Sequence, residues 1–386
     1  MTSRQLRLVA GLPRGLLAAA LLVRALDEWW SSLPAGVVES VHIDLGLTYS
    51  QAGWLLGLLS IGGVVGLPIA AISDHASRRV TATSGALGLA GGLLPYAFGT
   101  PFWLLAAGSL VLGICSDLVI QPIESALAET AGDQLDRVLA RQHLLSFVGD
   151  ALGPVLLAIG ASTVLGWRGA FGVTAAGCVA FAVLTAATPM PPPPAPDTAA
   201  NAARDVWKIA RDPTVIRLGV LDVVMSPLDE PLYGFALAVA ITGGTQPGVA
   251  QLWLAAPVLA GGVVGSLLAE RNGVSVRLMT GGRVATLAGV VLIALVRGLA
   301  ATVIGMFVAW VGMSIIWTVV HTRSLTVIPG RTATVHAVIG VIGVLGALVP
   351  TLTGSVADRS SLASALIVFV VAAIVLAVLA PNPTDK

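Results

Sequence analysis

The tripeptide Leu-Asp-Glu occurs twice, at Leu26-Asp27-Glu28 and at Leu228-Asp229-Glu230. Each copy is followed, at nearly the same spacing, by an identical Gly-Gly-Val-Val-Gly run, Gly62 to Gly66 and Gly261 to Gly265. Both copies lie in apolar stretches of the length that crosses a bilayer, about 20 residues. Such a repeat fits a membrane protein built from two related halves, each with a carboxylate pair at lipid depth. Acids are costly there unless they have work to do. Only 11% of the 386 residues are charged, 56% are hydrophobic, and the mean hydropathy is +0.91. A soluble domain carries about 25% charged residues, so this chain cannot cover a water-facing surface and reads as an integral membrane protein.

Cutting at polar and Pro/Gly breaks predicts twelve spanning helices. Six run near 12–38, 49–72, 80–99, 101–128, 138–163 and 168–188, and six near 213–241, 247–269, 276–297, 299–322, 332–356 and 360–380. The expected fold is an all-α membrane protein with two pseudo-symmetric six-helix bundles, residues 1–188 and 213–386. Between them lies a linker, 189–212, whose proline run Pro191 to Pro194 cannot be helical. Beyond it, Ala199 to Ala210 is expected to form a surface helix that turns Val206, Trp207 and Ile209 to the membrane interface. Arg4, Arg7 and Arg14 precede an apolar stretch without a small-residue cleavage site, which reads as a retained first helix.

Orientation follows from the basic residues. With the N-terminus in the cytoplasm, all of the 21 Lys and Arg but Arg24, Arg168, Arg297 and Arg359 fall on the cytoplasmic side. The positive-inside rule therefore places both termini there, in a bacterial inner membrane. Net charge of +1 argues against a nucleic-acid partner. Cys115 and Cys178 have neither CxxC spacing nor a His neighbour, so they read as small core residues; no metal site and no cofactor are expected.

Three local patterns resemble those of the major facilitator superfamily. Ser73-Asp74-His75-Ala76-Ser77-Arg78-Arg79 is similar to that family's Asp-Arg-x-Gly-Arg-Arg loop, with His75 and Ser77 in place of Arg and Gly. A second copy runs from Gly265 through Glu270-Arg271 to Gly273. Gly149, Gly153, Pro154 and Gly160, with Trp167-Arg168 beyond, resemble the helix-5 motif of the family's exporters. The resemblance implies a secondary transporter, a monomer that moves a small molecule by alternating access. It also implies that Asp74, Arg78, Arg79, Glu270, Arg271, Gly149, Gly153, Pro154 and Arg323 serve conformational change. Those contacts belong to the state closed on the cytoplasmic side. Many drug exporters of the family carry an Arg in helix 4; here that helix is acidic.

The polar residues at membrane depth mark the candidate site. Arg24 lies three residues before Asp27 and four before Glu28, so it reaches either. Asp27 and Glu28 point about 100° apart and cannot do the same job. In helix 7, Asp222 shares a face with Asp229, and Pro227 and Pro231 bracket Asp229-Glu230. The prolines are expected to break the helix there, as in the discontinuous helices of transporter sites. Helix 4 carries Asp117, Gln121 and Glu124 on one stripe, and the equivalent part of helix 10 holds Trp317, His321 and Arg323. A shift of 199 residues puts Arg323 opposite Glu124, which predicts a contact between the halves. The glycines of both Gly-Gly-Val-Val-Gly runs are expected at the moving interface between the halves.

A carboxylate taken out of water favours its protonated form. Asp27, Glu28, Asp229 and Glu230 are thus candidates for proton coupling, and Arg24, Asp117, Gln121, Glu124, Asp222, Trp317 and His321 for substrate contact. The expected activity is proton-coupled efflux of a small cationic or amphiphilic molecule. Uptake or lipid translocation, divalent-metal export and a transporter-like sensor are the alternatives. No nucleophile–base set points to an enzyme, and no P-loop points to ATP.

Overall fold

The computed structural model describes residues 13–73, 77–132, 135–192, 206–272, 275–328 and 332–380. Their regular structure is all helical, with twelve spans when broken helices are counted once. The first half holds α1 (Arg14–Gly36) continued by α2 (Val38–Leu45), α3 (Tyr49–Ser73), α4 (Arg78–Phe98), α5 (Phe102–Ala131), α6 (Leu135–Ala161) and α7 (Gly166–Ala187). In the second half the first span is α8 (Pro213–Met225), a 3-10 turn (Ser226–Leu228) and α9 (Glu230–Thr242). Then come α10 (Pro247–Asn272), α11 (Val276–Leu295) and α12 (Leu299–Thr326). The eleventh span is α13 (Thr332–Gly343), a 3-10 turn (Val344–Ala347) and α14 (Leu348–Arg359), and the last is α15 (Leu362–Ala365) with α16 (Ile367–Leu379). Among the described residues, eight helices are long and apolar enough to cross a membrane by length and composition alone. The first span is excluded from that set by its own charges, Arg24, Asp27 and Glu28.

The two halves repeat one packing scheme. In the first, α1 packs on α6, α3 on α5, and α5 on α4; in the second, α8 packs on α13, α10 on α12, and α12 on α11. Between the halves, α3 lies along α14, α10 along α6, and α9 along α1. The face that bears the linker is called here the linker end, and the opposite face the far end.

The glycine repeats do not sit between the halves as expected. Gly62 and Gly66 meet the backbone of α5 at Leu110, Gly113 and Ile114, and Gly261 and Gly265 meet α12 at Phe307 and Val311. Each run joins helices of its own half; Gly262 alone of these six has a neighbour across the interface, Phe147. The close approach between halves is made elsewhere, where Gly53 lies against the Pro350 carbonyl and Gly354 against the Tyr49 carbonyl. The linker also departs from expectation. Residues 189–192 are non-helical, as expected, but Ile209 is buried with Val215, Val335 and Val338 of the second half, while Val206 and Trp207 are exposed. Burying Ile209 in an apolar pocket fixes the linker's end to the protein.

Candidate functional site

Helix 7 breaks where its prolines stand. Pro227 is the second residue of the 3-10 turn and Pro231 the second residue of α9. A proline costs about 3 kcal/mol inside a helix but almost nothing in a first turn, where its missing N–H has no partner anyway. Two prolines four residues apart are therefore satisfied by restarting the helix twice. Asp229 falls in the gap, with backbone angles outside the helical region, and Glu230 opens α9. The eleventh span breaks at the same level. Gly343 lies against the Asp222 carboxylate, and Gly346 against the Val223 carbonyl. A side chain at either glycine would collide, so the two broken helices meet on bare backbone.

A cavity of about 250 Å³ opens at these breaks. Asp222, Asp229, Glu230, Ser226 and Pro231 line one side, Trp317 and Met313 of α12 another, and Leu56, Leu59 and Ser60 of α3 the third. Toward the linker end it adjoins a second cavity of about 130 Å³, which shares Asp222, Met225 and Trp317 and is completed by His321, Ser324 and His336. Rings form a ladder along this route. Trp317 stacks on His321 at 4.6 Å, His321 stacks on His336 at 5.8 Å, and His336 Nε2 bonds Ser324 Oγ at 2.7 Å.

The first half contributes a separate group of acids. Gly149 and Gly153 of α6 lie against the Ala25 backbone and the Trp29 carbonyl of α1. Glycine at these positions lets the two helices approach, with Ser32 of α1 facing Gly153, and so brings Asp150, next to Gly149, close to Glu28. An ionised carboxylate only accepts, so this contact is attractive only while one of the two carries a proton. Ser31 on α1 donates to the Glu28 carbonyl at 3.3 Å and lies near Glu230 of the other half. Asp27 accepts a 2.7 Å bond from Ser116 Oγ and lies 3.9 Å from Arg24.

Arg24 donates through Nε to Glu124 at 2.8 Å, and Gln142 Nε2 donates to the same oxygen at 3.4 Å. Glu124 thus has a charge partner in its own half, Arg24. Asp117 and Gln121 share one face of α5, one turn apart. Neither they nor the Arg24 group line the two cavities.

The expected conformational residues divide. Asp74 lies outside the described residues. Arg78 is buried and holds Glu129 with both terminal nitrogens, at 2.6 and 2.7 Å, while reaching the Pro191 carbonyl at 3.5 Å. The fork ties the start of α4 to the end of α5 and the first residues of the linker. Arg79, Glu270 and Arg271 are exposed, and Arg323 is half-buried. Pro154 lies inside α6. Glu129 was not among the residues singled out from sequence, while His336 and Asp150 were noted there only as interior polar residues without a functional role. Asp150 had a signal in its adjacency to Gly149. The other two have partners 51 and 12 residues away, which no local pattern encodes. Among the described residues no group of three His, Cys, Asp or Glu is placed to hold a metal ion.

The far end is shut. The Asp358 carboxylate of α14 accepts 2.9 Å bonds from the backbone N–H groups of Tyr49 and Ser50, and Gln251 of α10 donates to the Gly36 carbonyl at 2.6 Å. The cavities therefore lead from mid-depth toward the linker end.

A family model described as Major Facilitator Superfamily matches residues 17–349. The chloramphenicol resistance protein of Streptomyces lividans is 32% identical over 182 residues, which span 45% of this chain and 45% of that relative. Similar solved structures include a D-xylose-proton symporter, with TM-score 0.74 and 15% identity over 96% of this chain and 99% of that one. The nucleoside transporter NupG gives 0.73 and 13% over 95% and 97%. A bacterial homologue of the human lysosomal transporter Spinster, inward-facing and unoccupied, gives 0.68 and 16% over 95% of each. At these identities the likeness shows the fold.

Proposed function

The chain belongs to the Major Facilitator Superfamily and is a membrane transporter rather than an enzyme, and from that premise we propose that it is a proton-coupled exporter of a small cationic or amphiphilic molecule. The observation that carries this reading is the cavity at the helix-7 break, where Asp222, Asp229 and Glu230 face Trp317. Carboxylates beside an aromatic face suit a cation with an apolar body. Backbone freed by a broken helix is found at mid-depth in transporters where cargo or a coupling ion binds.

The halves 1–188 and 213–386 rock about this cavity, joined by the linker 189–212. By the positive-inside rule the linker end is cytoplasmic, in a bacterial inner membrane. The conformation described, closed at the far end, is then read as the cytoplasm-facing one that loads cargo. Proton and cargo compete for Asp229 and Glu230, while the Glu28–Asp150 pair holds a proton next to them. A proton arriving from outside displaces the cation, and the return to the cytoplasmic side releases the proton. The protein works as a monomer.

A second reading concerns the cargo. The Streptomyces lividans relative is a chloramphenicol resistance protein, which favours export of an uncharged amphiphile through the same cavity. Transport in proteoliposomes under an imposed pH gradient tests both, with ethidium as the cationic probe and labelled chloramphenicol as the neutral one. Gradient-driven accumulation of either, lost when Asp229 and Glu230 are both neutralised, is the expected result. Accumulation without a gradient, or unaffected by that pair, overturns the coupling.

A further inference from the structure

At the far end, two polar side chains of the second half serve backbone groups that the first half's helix ends leave open. The first is at the start of α3. Thr48 and Gln51 form a reciprocal capping box, with Gln51 N–H on Thr48 Oγ1 at 3.1 Å and Thr48 N–H on Gln51 Oε1 at 2.9 Å. A box of this kind satisfies the donors of its own two residues. It leaves the N–H groups of the first two helical residues, Tyr49 and Ser50, without a partner in their own helix. Asp358 takes both, one on each oxygen.

The second is at the end of α1, where the chain turns into α2 and the last carbonyls have no acceptor role in their own helix. Gln251, 4% exposed, donates to the Gly36 carbonyl, and its amide oxygen accepts a 2.9 Å bond from the Tyr233 hydroxyl. Gln251 is thus fully directed by groups on α1 and α9.

We propose that Asp358 and Gln251 are the latch that holds the far end closed, each acting as a helix cap supplied by the opposite half. When the halves separate there, both sets of backbone groups lose these partners. The far end then opens only when water or other groups replace them. The latch is one-sided: both side chains belong to the second half and both targets are main chain of the first. Side-chain replacement at Tyr49 or Ser50 therefore leaves the bonding groups in place, while a change at Asp358 or Gln251 removes them.

This rests on the alternating-access reading, so the test reads conformation directly and needs no cargo. Spin labels are placed at Val164→Cys and Val296→Cys, exposed far-end positions on opposite halves, in full-length protein with Cys115 and Cys178 replaced, reconstituted in lipid nanodiscs. Pulsed electron-electron distances are then compared among variants. Asp358→Asn keeps size but lacks the second accepting oxygen, and Gln251→Leu removes the donor. Each is expected to add or enlarge a longer-distance population and shift the ratio of the two states on the order of tenfold, the effect of losing a helix cap. Asp358 is exposed, so its replacement leaves the core alone should Gln251→Leu fail to fold. A Ser50→Cys/Ser355→Cys pair, whose hydroxyls lie 3.1 Å apart, is expected to abolish the longer population in Asp358→Asn once oxidised. A longer population present in the parent protein but unmoved by Asp358→Asn overturns the latch alone. A single distance in every variant overturns the latch together with alternating access.

Discussion

Arg24 sets the energetics of the first-half site. It joins Glu124 and Asp27 with a side chain 38% exposed, between the limits of a surface pair, worth up to ~1 kcal/mol, and a buried one, whose breaking costs ~3–5 kcal/mol. Arg24→Ala is expected to destabilise the protein by ~1–3 kcal/mol in thermal denaturation, because two carboxylates then face each other without a cation. Arg24→Ala combined with Glu124→Ala should cost less than the sum of the two, a coupling that a double-mutant cycle measures. In the second half, Glu230 sits at the helix break beside Asp229, with Ser31 near it across the interface. Glu230→Gln is expected to cut gradient-driven ethidium transport about tenfold or more, ~1.4 kcal/mol, while exchange of labelled for unlabelled probe survives. Equal loss of both activities would count against a coupling role. These residues were legible in sequence as charges in the wrong solvent. The Arg24–Asp27 pair was legible too, but the partner in another helix was not, because Arg24 and Glu124 are 100 positions apart and meet only once α1 and α5 are packed.

Helices in this bundle are placed by what they lack. The α1–α6 contact depends on Gly149 and Gly153, and it carries Asp150 to Glu28. Gly149→Leu drives a side chain into the Ala25 backbone and is expected to cost at least the ~1–3 kcal/mol of an overpacked core. It should also lower transport, by prying apart the acid pair. Gly63→Leu is the control: nothing lies within 4 Å of a Cβ there, so thermal stability and transport should stay near the parent values. Identical Gly-Gly-Val-Val-Gly strings suggested identical tasks at the moving interface. Packing gave them a static task, because α3 turns Gly62 and Gly66 toward α5 and keeps Gly53 for α14. One sequence does not encode which face of a uniformly apolar helix looks at which neighbour. The helix-7 break, by contrast, was readable from Pro227 and Pro231, since a missing N–H acts locally whatever the surroundings.

At the scale of the whole molecule, a far end held shut leaves the linker end as the side on which alternating access would admit cargo. The oxidised Ser50→Cys/Ser355→Cys cross-link is expected to stop ethidium transport entirely while leaving ethidium binding, read by fluorescence, near the parent affinity, because the acid cavity stays open toward the linker end. Loss of binding with the cross-link in place would show that the cavity needs the far end free to form. The sequence by itself determined the solvent of this protein, its twelve spans, its two related halves and the position of the break in helix 7. Each of these follows from local quantities: hydropathy over about 20 residues, a repeated string, a proline without its donor. Only the tertiary structure decided which acids face one another, which end is shut, and that Asp358 and Gln251 shut it. Those outcomes depend on side chains meeting backbone hundreds of positions away, Asp358 with Tyr49 and Gln251 with Gly36, and such meetings are set by the rotation and tilt of packed helices that hydropathy leaves free.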